Sequence, residues 1–379
     1  MNKIGVCFGG YCPMTRGHME VIMRAKKECE KLVIIVCGSY NEKRANEIGL
    51  SLHDRLMIIY KMFKQDPISH LPIDNNDIYV MDINDDDIGL KEQDMLSHHN
   101  WTIWLDYAFN KITEYYNNVS KEDITFYVGE QLYYDVLTKD FNYKCILLDR
   151  NEIPISGTII RNNPVKYWNY IVKDFRPAMC KKILVIGTAS EGKSTLVEDI
   201  ARYFNLNMVD ERGRAIMDEI RRFHNPYYND KCLDISMFLR FAKEQNEYIE
   251  TAINTSSEPF IISDTDNLVT LMYATAYAER DDMPNIDSNN IRLLKDYIHY
   301  NIDKIKWDKI YVLTPNNNFV DDGSRFMGQA SMYERKKNFE ILKTLINEYY
   351  AYADIEYLTG GEYLNNFNTI KNYINEKNN

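Results

Sequence analysis

The 379-residue sequence has few of the features that mark secreted, zinc-binding or membrane-spanning proteins. It contains 7 cysteines, an odd number, and none of them form a C-x-x-C pair, which argues against a disulfide framework and a zinc site. No apolar stretch approaches the ~20 residues that a membrane-spanning helix needs, and the N-terminus lacks the apolar run of a signal peptide. We therefore expect a cytoplasmic protein with reduced cysteines and no membrane partner.

The sequence also lacks an excess of basic residues: it has 45 Lys and Arg against 56 Asp and Glu, a formal charge of −11. Proteins that bind nucleic acid usually carry a basic face, so no nucleic-acid partner is expected. A phosphate site needs only local positive charge, so nucleotide binding is not excluded. The length exceeds the roughly 100–200 residues of one domain and favours two. The sequence does not determine whether the chain forms a homo-oligomer.

Short apolar runs alternate with helical patterns along the whole chain, which indicates βαβ units and parallel sheets. In the first half we predict strands at 3–8, 32–37, 77–81, 124–128 and 145–148, and helices at 17–31, 52–63 and 101–116. The stretch 160–180 is predicted to be a short helix bridging two bodies. The alternation then begins again, with strands at 182–186, 207–209, 259–263 and 310–313 and helices at 194–204, 237–254, 333–351 and 365–376. Two polar segments, 84–94 and 278–289, are predicted to be exposed loops.

Residues 187–194 have the pattern G-x-x-x-x-G-K-S, directly after an apolar strand and directly before a helix. This is the context that a Walker A phosphate-binding loop requires. Gly187 and Gly192 allow the backbone to approach phosphates closely, and the helix N-terminus favours an anion. Lys193 is expected to reach the β- and γ-phosphates of ATP, and the Ser194 hydroxyl to bind Mg²⁺. Thr195 completes this predicted nucleotide site.

A kinase also needs an acidic group near the metal and a group that receives the acceptor proton. Asp264 follows an apolar strand, where its carboxylate would lie beside the phosphate loop as a Mg²⁺ ligand, with Asp266 close to the acceptor. Glu211 follows the next short strand and is a candidate base for the acceptor hydroxyl. The Asp- and Gly-containing segment 320–328 suits a lid, with Arg325 stabilising charge during transfer. An ordinary surface carboxylate or loop remains the alternative for each.

A second candidate phosphate site follows the first strand, in the sequence Phe8-Gly-Gly-Tyr-Cys-Pro-Met-Thr-Arg-Gly-His18. Phe8, Gly9, Gly10 and Gly17 line the predicted backbone path, and Thr15 and His18 form a T-x-G-H motif at a helix start. His18 could donate a hydrogen bond to charge that develops on the α-phosphate.

The second half of this site lies about 140 residues later, in Ile155-Ser-Gly-Thr-Ile-Ile-Arg161. Ser156 can cap a helix, which would direct its hydroxyl, the Thr158 hydroxyl and the Arg161 guanidinium at the same phosphate chain. We therefore predict an α/β chain with a Rossmann-like nucleotidyltransferase domain over residues 1–175 and a P-loop NTPase-type kinase domain over residues 176–379.

Together these motifs resemble the nucleotidyltransferases marked by (H/T)xGH and SxTxxR and, in their order, the bifunctional NMN adenylyltransferase/ribosylnicotinamide kinase family (NadR-type). The resemblance extends through the domain junction, DERGR at 210–214, SDTD at 263–266 and FVDDGSRFMG at 319–328. Thr15 stands where members commonly have His. Some members carry an N-terminal helix-turn-helix domain, which this chain is expected to lack, so no repressor role is expected.

The resemblance implies that the C-terminal domain phosphorylates nicotinamide riboside with ATP to give NMN. It implies that the N-terminal domain then joins NMN to the AMP part of ATP, giving NAD and pyrophosphate. Arg214 and Asp266 would contact the acceptor, and Trp101 or Trp104 would stack on the nicotinamide ring, unless the two tryptophans serve only core packing. Two alternatives stay open: another acceptor, such as a different phosphorylated nucleoside or a pantetheine phosphate, or a non-catalytic nucleotide sensor.

Overall fold

The computed structural model describes residues 2–64, 77–90, 97–148, 155–281, 283, 285–287, 289–319 and 331–378. The chain divides into two compact units, Met1–Met179 and Cys180–Asn379. Each unit contains a five-stranded sheet with helices between successive strands. The α/β fold predicted from the alternating pattern is therefore confirmed.

The first unit is built on a parallel sheet of order β3-β2-β1-β4-β5. Its elements are β1 (Asn2–Gly9), α1 (Arg16–Glu28), β2 (Cys29–Gly38), α2 (Lys43–Glu47), α3 (Leu52–Lys64), β3 (Ile78–Asn84), α4 (His98–Tyr115), β4 (Ile124–Val128), α5 (Gln131–Asp135), β5 (Lys144–Leu147), α6 (Gly157–Asn162) and α7 (Arg176–Met179). β-Branched and apolar side chains of β1, β2 and β4 pack against the apolar face of α4 and form the core.

The second unit is built on a parallel sheet of order β10-β9-β6-β8-β7. Its elements are β6 (Lys181–Gly187), α8 (Lys193–Phe204), β7 (Asn207–Val209), α9 (Arg212–Phe223), α10 (Ile235–Thr255), β8 (Phe260–Asp264), α11 (Asn267–Ala278), α12 (Ile291–Ile302), β9 (Lys309–Thr314), α13 (Met332–Tyr349), β10 (Asp354–Thr359) and α14 (Tyr363–Asn378). β6, β8 and β9 are buried almost throughout, as expected for strands covered on both faces.

In both sheets the strand order reverses at the first strand of the unit. The chain passes from β1 to β2 and β3 on one side and then to β4 and β5 on the other; β6 holds the equivalent position in the second sheet. Such a reversal leaves a crevice at the carboxyl ends of the strands, where α/β proteins bind ligands. The loops that follow β1 and β6 are the two predicted phosphate loops, so the topology places both at this position.

Two predictions about local structure were wrong because strand pairing and burial outweigh local pattern. Helix α1 ends at Glu28 rather than at residue 31, since Cys29 already pairs with β1 and its side chain is buried. The segment 278–289 is not simply an exposed loop, because Met283 and Ile286 are 2% and 4% exposed.

The prediction of a bridging helix over 160–180 was also wrong. After α6 the chain forms two short 3-10 turns, and Trp168, Ile171 and Phe175 are buried within the first unit. The backbone N–H of Val172 donates to the Met14 carbonyl at 3.0 Å, and Thr15 and Ile171 form an isolated antiparallel bridge. The segment is thus a strap that packs on the loop after β1. Among the described residues, no helix is long and apolar enough to cross a membrane.

Candidate active sites

The T-x-G-H motif forms a closed set of hydrogen bonds at the start of α1. The Thr15 hydroxyl accepts the His18 backbone N–H at 3.3 Å, and Nδ1 of His18 accepts the Thr15 backbone N–H at 3.0 Å. Because Nδ1 acts as an acceptor, the proton of the neutral ring lies on Nε2. His18 is half-buried, and its ring is therefore fixed in the tautomer that can donate through Nε2.

The S-x-T-x-x-R motif docks directly onto the loop that precedes T-x-G-H. Ser156 caps α6 by accepting the Ile159 N–H at 3.3 Å. The Arg161 guanidinium donates to the Cys12 carbonyl and, at 2.9 Å, to the Thr158 hydroxyl. The structure therefore brings together two motifs that are about 140 residues apart, with Arg161 as the contact between them.

Gly157 is a site residue that the sequence analysis did not assign. A Cβ atom at this position would lie 2.9 Å from the Cys12 carbonyl oxygen and 3.3 Å from Arg161 Nη1. Contacts under 3.0 Å force the backbone to move, so the close docking of α6 on the loop requires glycine here.

Arg55, on α3, is a second residue that the sequence analysis missed. It is fully buried and donates to the Gly10 carbonyl, to the Cys37 carbonyl at 3.2 Å and to the Glu42 carboxylate at 2.8 Å. A buried guanidinium with these partners holds the Gly9–Gly10 turn against β2. Its Nε atom also donates to the Ser51 carbonyl, four residues earlier, at 3.3 Å. The three partners that hold the turn lie 45, 18 and 13 residues away, so no local signal identifies this role.

The two tryptophans of the predicted site belong to an aromatic cluster in the core of the first unit. Trp101 and Trp104 are each 7% exposed, and the Phe8 ring lies 5.9 Å and 5.0 Å from theirs. Tyr133 completes this cluster, 5.3 Å from Phe8. Phe8 is half-buried and packs against both tryptophans. These contacts fit the packing alternative for Trp101 and Trp104, and stacking on the nicotinamide ring stays a prediction.

The second phosphate loop has the backbone that its glycines permit. Gly187 has φ +154° and no space for a Cβ against Leu313, and Gly192 has φ +84°. Lys193 donates from Nζ to the Thr188 carbonyl at 2.7 Å, across the loop. Ser194 and Thr195 lie in the first turn of α8, half-buried and exposed respectively. The loop thus directs its amides and the α8 N-terminus at one position, where an anion would bind.

Asp264 ends β8 beside this loop and is 3% exposed. Burial raises its pKa to about 6, whereas Lys193 and a hydrogen bond from Ser194 oppose that shift. Its Oδ1 atom is buried and has no hydrogen-bond partner among the residues that the structure describes. A buried carboxylate oxygen without a partner, next to the loop serine, fits the donor set of a Mg²⁺ site that is completed by water and phosphate oxygens.

Asp266 lies two residues further on but serves the fold. One carboxylate oxygen accepts the Leu268 N–H at 3.0 Å and caps α11, and the other accepts the Tyr350 hydroxyl. The side chain is 3% exposed, and burial raises its pKa to about 6. These bonds account for both carboxylate oxygens, and Asp266 is not among the residues that line the adjacent cavity.

Glu211 and Arg214 line that cavity together with Lys193. Glu211 precedes α9, and Arg214 Nη2 lies 3.6 Å from its carboxylate. Gly213, Met217 and Arg221 follow along the same face of α9, so the helix forms one wall of the cavity. Phe238 and Phe241 of α10 form an apolar wall. Arg325 lies outside the described residues.

Gln245 of α10 is a cavity residue that the sequence analysis missed. It is 2% exposed, accepts the Arg212 N–H at 2.9 Å and donates to the Thr265 carbonyl at 3.4 Å. It thereby joins the start of α9 to the end of β8, the two segments that carry Glu211 and Asp264.

Comparison with known proteins assigns each unit to a class. Residues 6–163 match a cytidylyltransferase-like family and residues 182–358 match an AAA domain family. Fold and site geometry together therefore define a nucleotidyltransferase-type domain followed by a P-loop domain.

Relatives of known identity align with both units. The trifunctional NAD biosynthesis/regulator protein NadR of Escherichia coli (strain K12) is 26% identical over 355 residues, which cover 92% of this chain and 77% of that protein. NadR of Salmonella typhimurium (strain LT2) is 25% identical with the same coverage. A solved NadR structure in complex with NR covers 99% of this chain and 97% of its own, with 25% identity and a TM-score of 0.78. The chain is homologous to the NadR proteins.

A further solved NadR structure, in complex with NAD and AMP-PNP, shares the fold with a TM-score of 0.76 at 24% identity. It likewise covers 99% of this chain and 97% of its own.

Proposed function

We propose that this chain is a bifunctional enzyme of NAD salvage, which phosphorylates nicotinamide riboside to NMN and then adenylates NMN to NAD. The observation that carries this proposal is the presence of two complete phosphate loops, one in each unit, in a chain homologous to NadR over 92% of its length. Residues 1–175 would carry the adenylyltransferase and residues 176–379 the kinase.

The kinase step transfers the γ-phosphoryl group of ATP to the 5′-hydroxyl of nicotinamide riboside, leaving ADP and NMN. Lys193 and the loop amides hold the ATP phosphates, and Glu211, at the same end of the cavity, accepts the hydroxyl proton. Arg214 holds the acceptor beside Glu211. The face of α9 from Gly213 to Arg221 is about 12 Å long, which matches the length of a nucleoside. We therefore place the acceptor along this face of α9, opposite the apolar wall of Phe238 and Phe241.

The proposed metal is Mg²⁺, held by Ser194 and Asp264, where it would neutralise charge on the β- and γ-phosphates. This assignment rests on the buried Oδ1 of Asp264, which has no hydrogen-bond partner within the described part of the chain.

In the adenylyltransferase step the NMN phosphate attacks the α-phosphorus of a second ATP, and pyrophosphate leaves. This requires positioning and charge stabilisation rather than a covalent enzyme intermediate. His18, fixed with its proton on Nε2, donates to the α-phosphate, and the Ser156 and Thr158 hydroxyls bind the phosphate chain. Thr15 acts on the reaction through His18, because its backbone N–H and hydroxyl hold the ring.

The proposed small-molecule partners are ATP, nicotinamide riboside, NMN and NAD. NR, NAD and an ATP analogue are bound in the two solved NadR structures. We also propose a cytoplasmic location, because ATP and the nucleotide substrates are cytoplasmic metabolites.

One assay tests the proposal. The purified chain is incubated with ATP, Mg²⁺ and nicotinamide riboside, and NMN, NAD, ADP and pyrophosphate are followed by chromatography. We expect NMN to form first and NAD to follow. If the chain forms NAD from supplied NMN but does not consume nicotinamide riboside, only the adenylyltransferase part of the proposal stands. Absence of both products from a folded protein would refute the proposal.

A further inference from the structure

The phosphate loop of the second unit contains a buried acidic residue that takes no part in the proposed chemistry. Glu191 is the fifth residue of the 187–194 loop and is 1% exposed. Its Oε1 atom lies 2.8 Å from Nη1 of Arg335, and the side chains of both residues are at most 2% exposed. Acidic side chains are seldom fully buried unless they are paired, so this ion pair accounts for the burial of Glu191.

The other carboxylate oxygen of Glu191 joins the loop to the end of β9. Oε2 accepts the backbone N–H groups of Asn316 and Asn317, each at 3.1 Å. Arg335 donates from Nη2 to the Asn317 carbonyl at 2.8 Å. The network therefore connects the phosphate loop, the turn after β9 and the first turns of α13.

A second contact acts on the loop backbone itself. Asn317 Nδ2 donates to the Ser190 carbonyl at 3.1 Å. Ser190 has φ +64°, the left-handed region that residues other than glycine seldom adopt. Such a conformation persists only where surrounding contacts determine it, and Asn317 and Glu191 supply those contacts on consecutive residues.

We propose that Glu191 and Arg335 are positioning residues for ATP, which hold the phosphate loop in its phosphate-binding conformation before the nucleotide arrives. The loop binds phosphate through backbone N–H groups, whose directions depend on the dihedral angles of residues 188–192. A network that fixes these angles removes the cost of ordering the loop upon binding. The inference rests on the proposed kinase function of this unit.

A role in positioning ATP can be distinguished by kinetics from a general contribution to stability. A loop that is no longer pre-formed should bind ATP less tightly while its acceptor cavity is intact. The expected signature is therefore a raised KM for ATP with little change in the KM for nicotinamide riboside. The adenylyltransferase activity of the same chain also uses ATP but at the other loop, so it provides an internal control for folding and ATP quality.

Two variants test the network at different strengths. Asn317→Ala removes the bond from Nδ2 to the Ser190 carbonyl and the bond from the Asn318 N–H to Oδ1, and it leaves both charges in place. We expect the kinase KM for ATP to rise about 3- to 10-fold, the range for loss of the one bond that contacts the phosphate loop. Glu191→Gln breaks the ion pair, and we expect a rise of about 10-fold or more. Asn318→Ala is the matched control, because the Asn318 side chain is exposed and its backbone N–H, which bonds to Asn317 Oδ1, is kept in the variant.

A double variant guards against a folding defect in Glu191→Gln, which leaves a buried guanidinium unpaired. In Glu191→Gln/Arg335→Gln both charges are removed. We expect the KM for ATP to rise by less than the product of the increases measured for Glu191→Gln alone and for Arg335→Gln alone.

Equal changes in KM for ATP and for the riboside, or wild-type values for both in Asn317→Ala and the double variant, would overturn the proposal. Failure of the kinase function is distinguishable, since the wild-type chain would then form no NMN.

Discussion

Each of the two proposed phosphate sites depends on a backbone loop that is held in place, but the residues that hold it are arranged differently in the sequence. In the first unit the site is assembled from two segments about 140 residues apart, and a side chain of the second segment, Arg161, binds a carbonyl of the first. In the second unit the loop is one contiguous stretch, and a buried ion pair behind it fixes its backbone. In both units, charged side chains hold the backbone of the loop that is proposed to bind phosphate. The comparison predicts that each site can be disabled without the other.

The largest expected effect is that of Lys193→Ala. Removal of the only side-chain cation that lies within the contiguous loop should lower NMN formation by about 1000-fold or more. NAD formation from supplied NMN should be unchanged. Both rates are measured on one preparation by product chromatography, and loss of both from a folded protein would show that the sites are not independent.

His18→Ala should have the opposite selectivity and a somewhat smaller effect. Loss of one pre-oriented donor to the transition state costs about 100- to 1000-fold in rate. NAD formation should fall by about this factor, and phosphorylation of nicotinamide riboside should remain. His18→Asn, which keeps a donor, is the comparison variant; an equal loss in NMN formation would contradict the assignment.

Gly157→Ala should have a moderate effect restricted to the first site. The added Cβ would meet the Cys12 carbonyl oxygen at 2.9 Å, displace α6 and separate the two motifs. We expect adenylyltransferase activity to fall about 10-fold, since small misplacements of positioning groups are costly. Ile159→Ala on the same helix, where the side chain is 40% exposed, is the control and should retain wild-type rates.

The smallest expected effect on activity is that of Trp101→Phe, which decides between the two interpretations of the aromatic cluster. If Trp101 serves packing, the KM for NMN should change less than about twofold, while the free energy of unfolding of the first unit falls by about 1–2 kcal/mol. Steady-state kinetics and thermal unfolding give the two values. A large rise in KM with unchanged stability would instead favour stacking on the nicotinamide ring.

The sequence predicted the parts of the fold that local pattern determines. Most predicted strands and helices are present within two or three residues, because buried parallel strands are short apolar runs. Several elements were not predicted. α11 is apolar on nearly all sides and lacks helical periodicity, and β10 is an edge strand whose polar residues interrupt the apolar run. Their structure follows from tertiary burial rather than from local pattern.

The same limit applies to the sites. The T-x-G-H, S-x-T-x-x-R and G-x-x-x-x-G-K-S motifs were visible because their residues are close in sequence, and their catalytic roles stay predictions. Arg55, Gly157 and Glu191 were not assigned, since each acts on a partner between 45 and 145 residues away. Asp266 shows the converse: its proximity to Asp264 in sequence suggested the acceptor site, but its bonds go to Leu268 and Tyr350.

The buried carboxylate of Glu191 also constrains how the sequence can diverge. A Cβ atom at Gly360 would overlap with Glu191 Oε2 and with the Thr314 carbonyl oxygen. Position 360, which is 169 residues from Glu191, is therefore restricted to glycine by both atoms. Where a relative keeps glutamate at position 191, it should keep glycine at position 360. A smaller residue at position 191 would remove only the first of these clashes, because the Thr314 carbonyl oxygen belongs to the backbone.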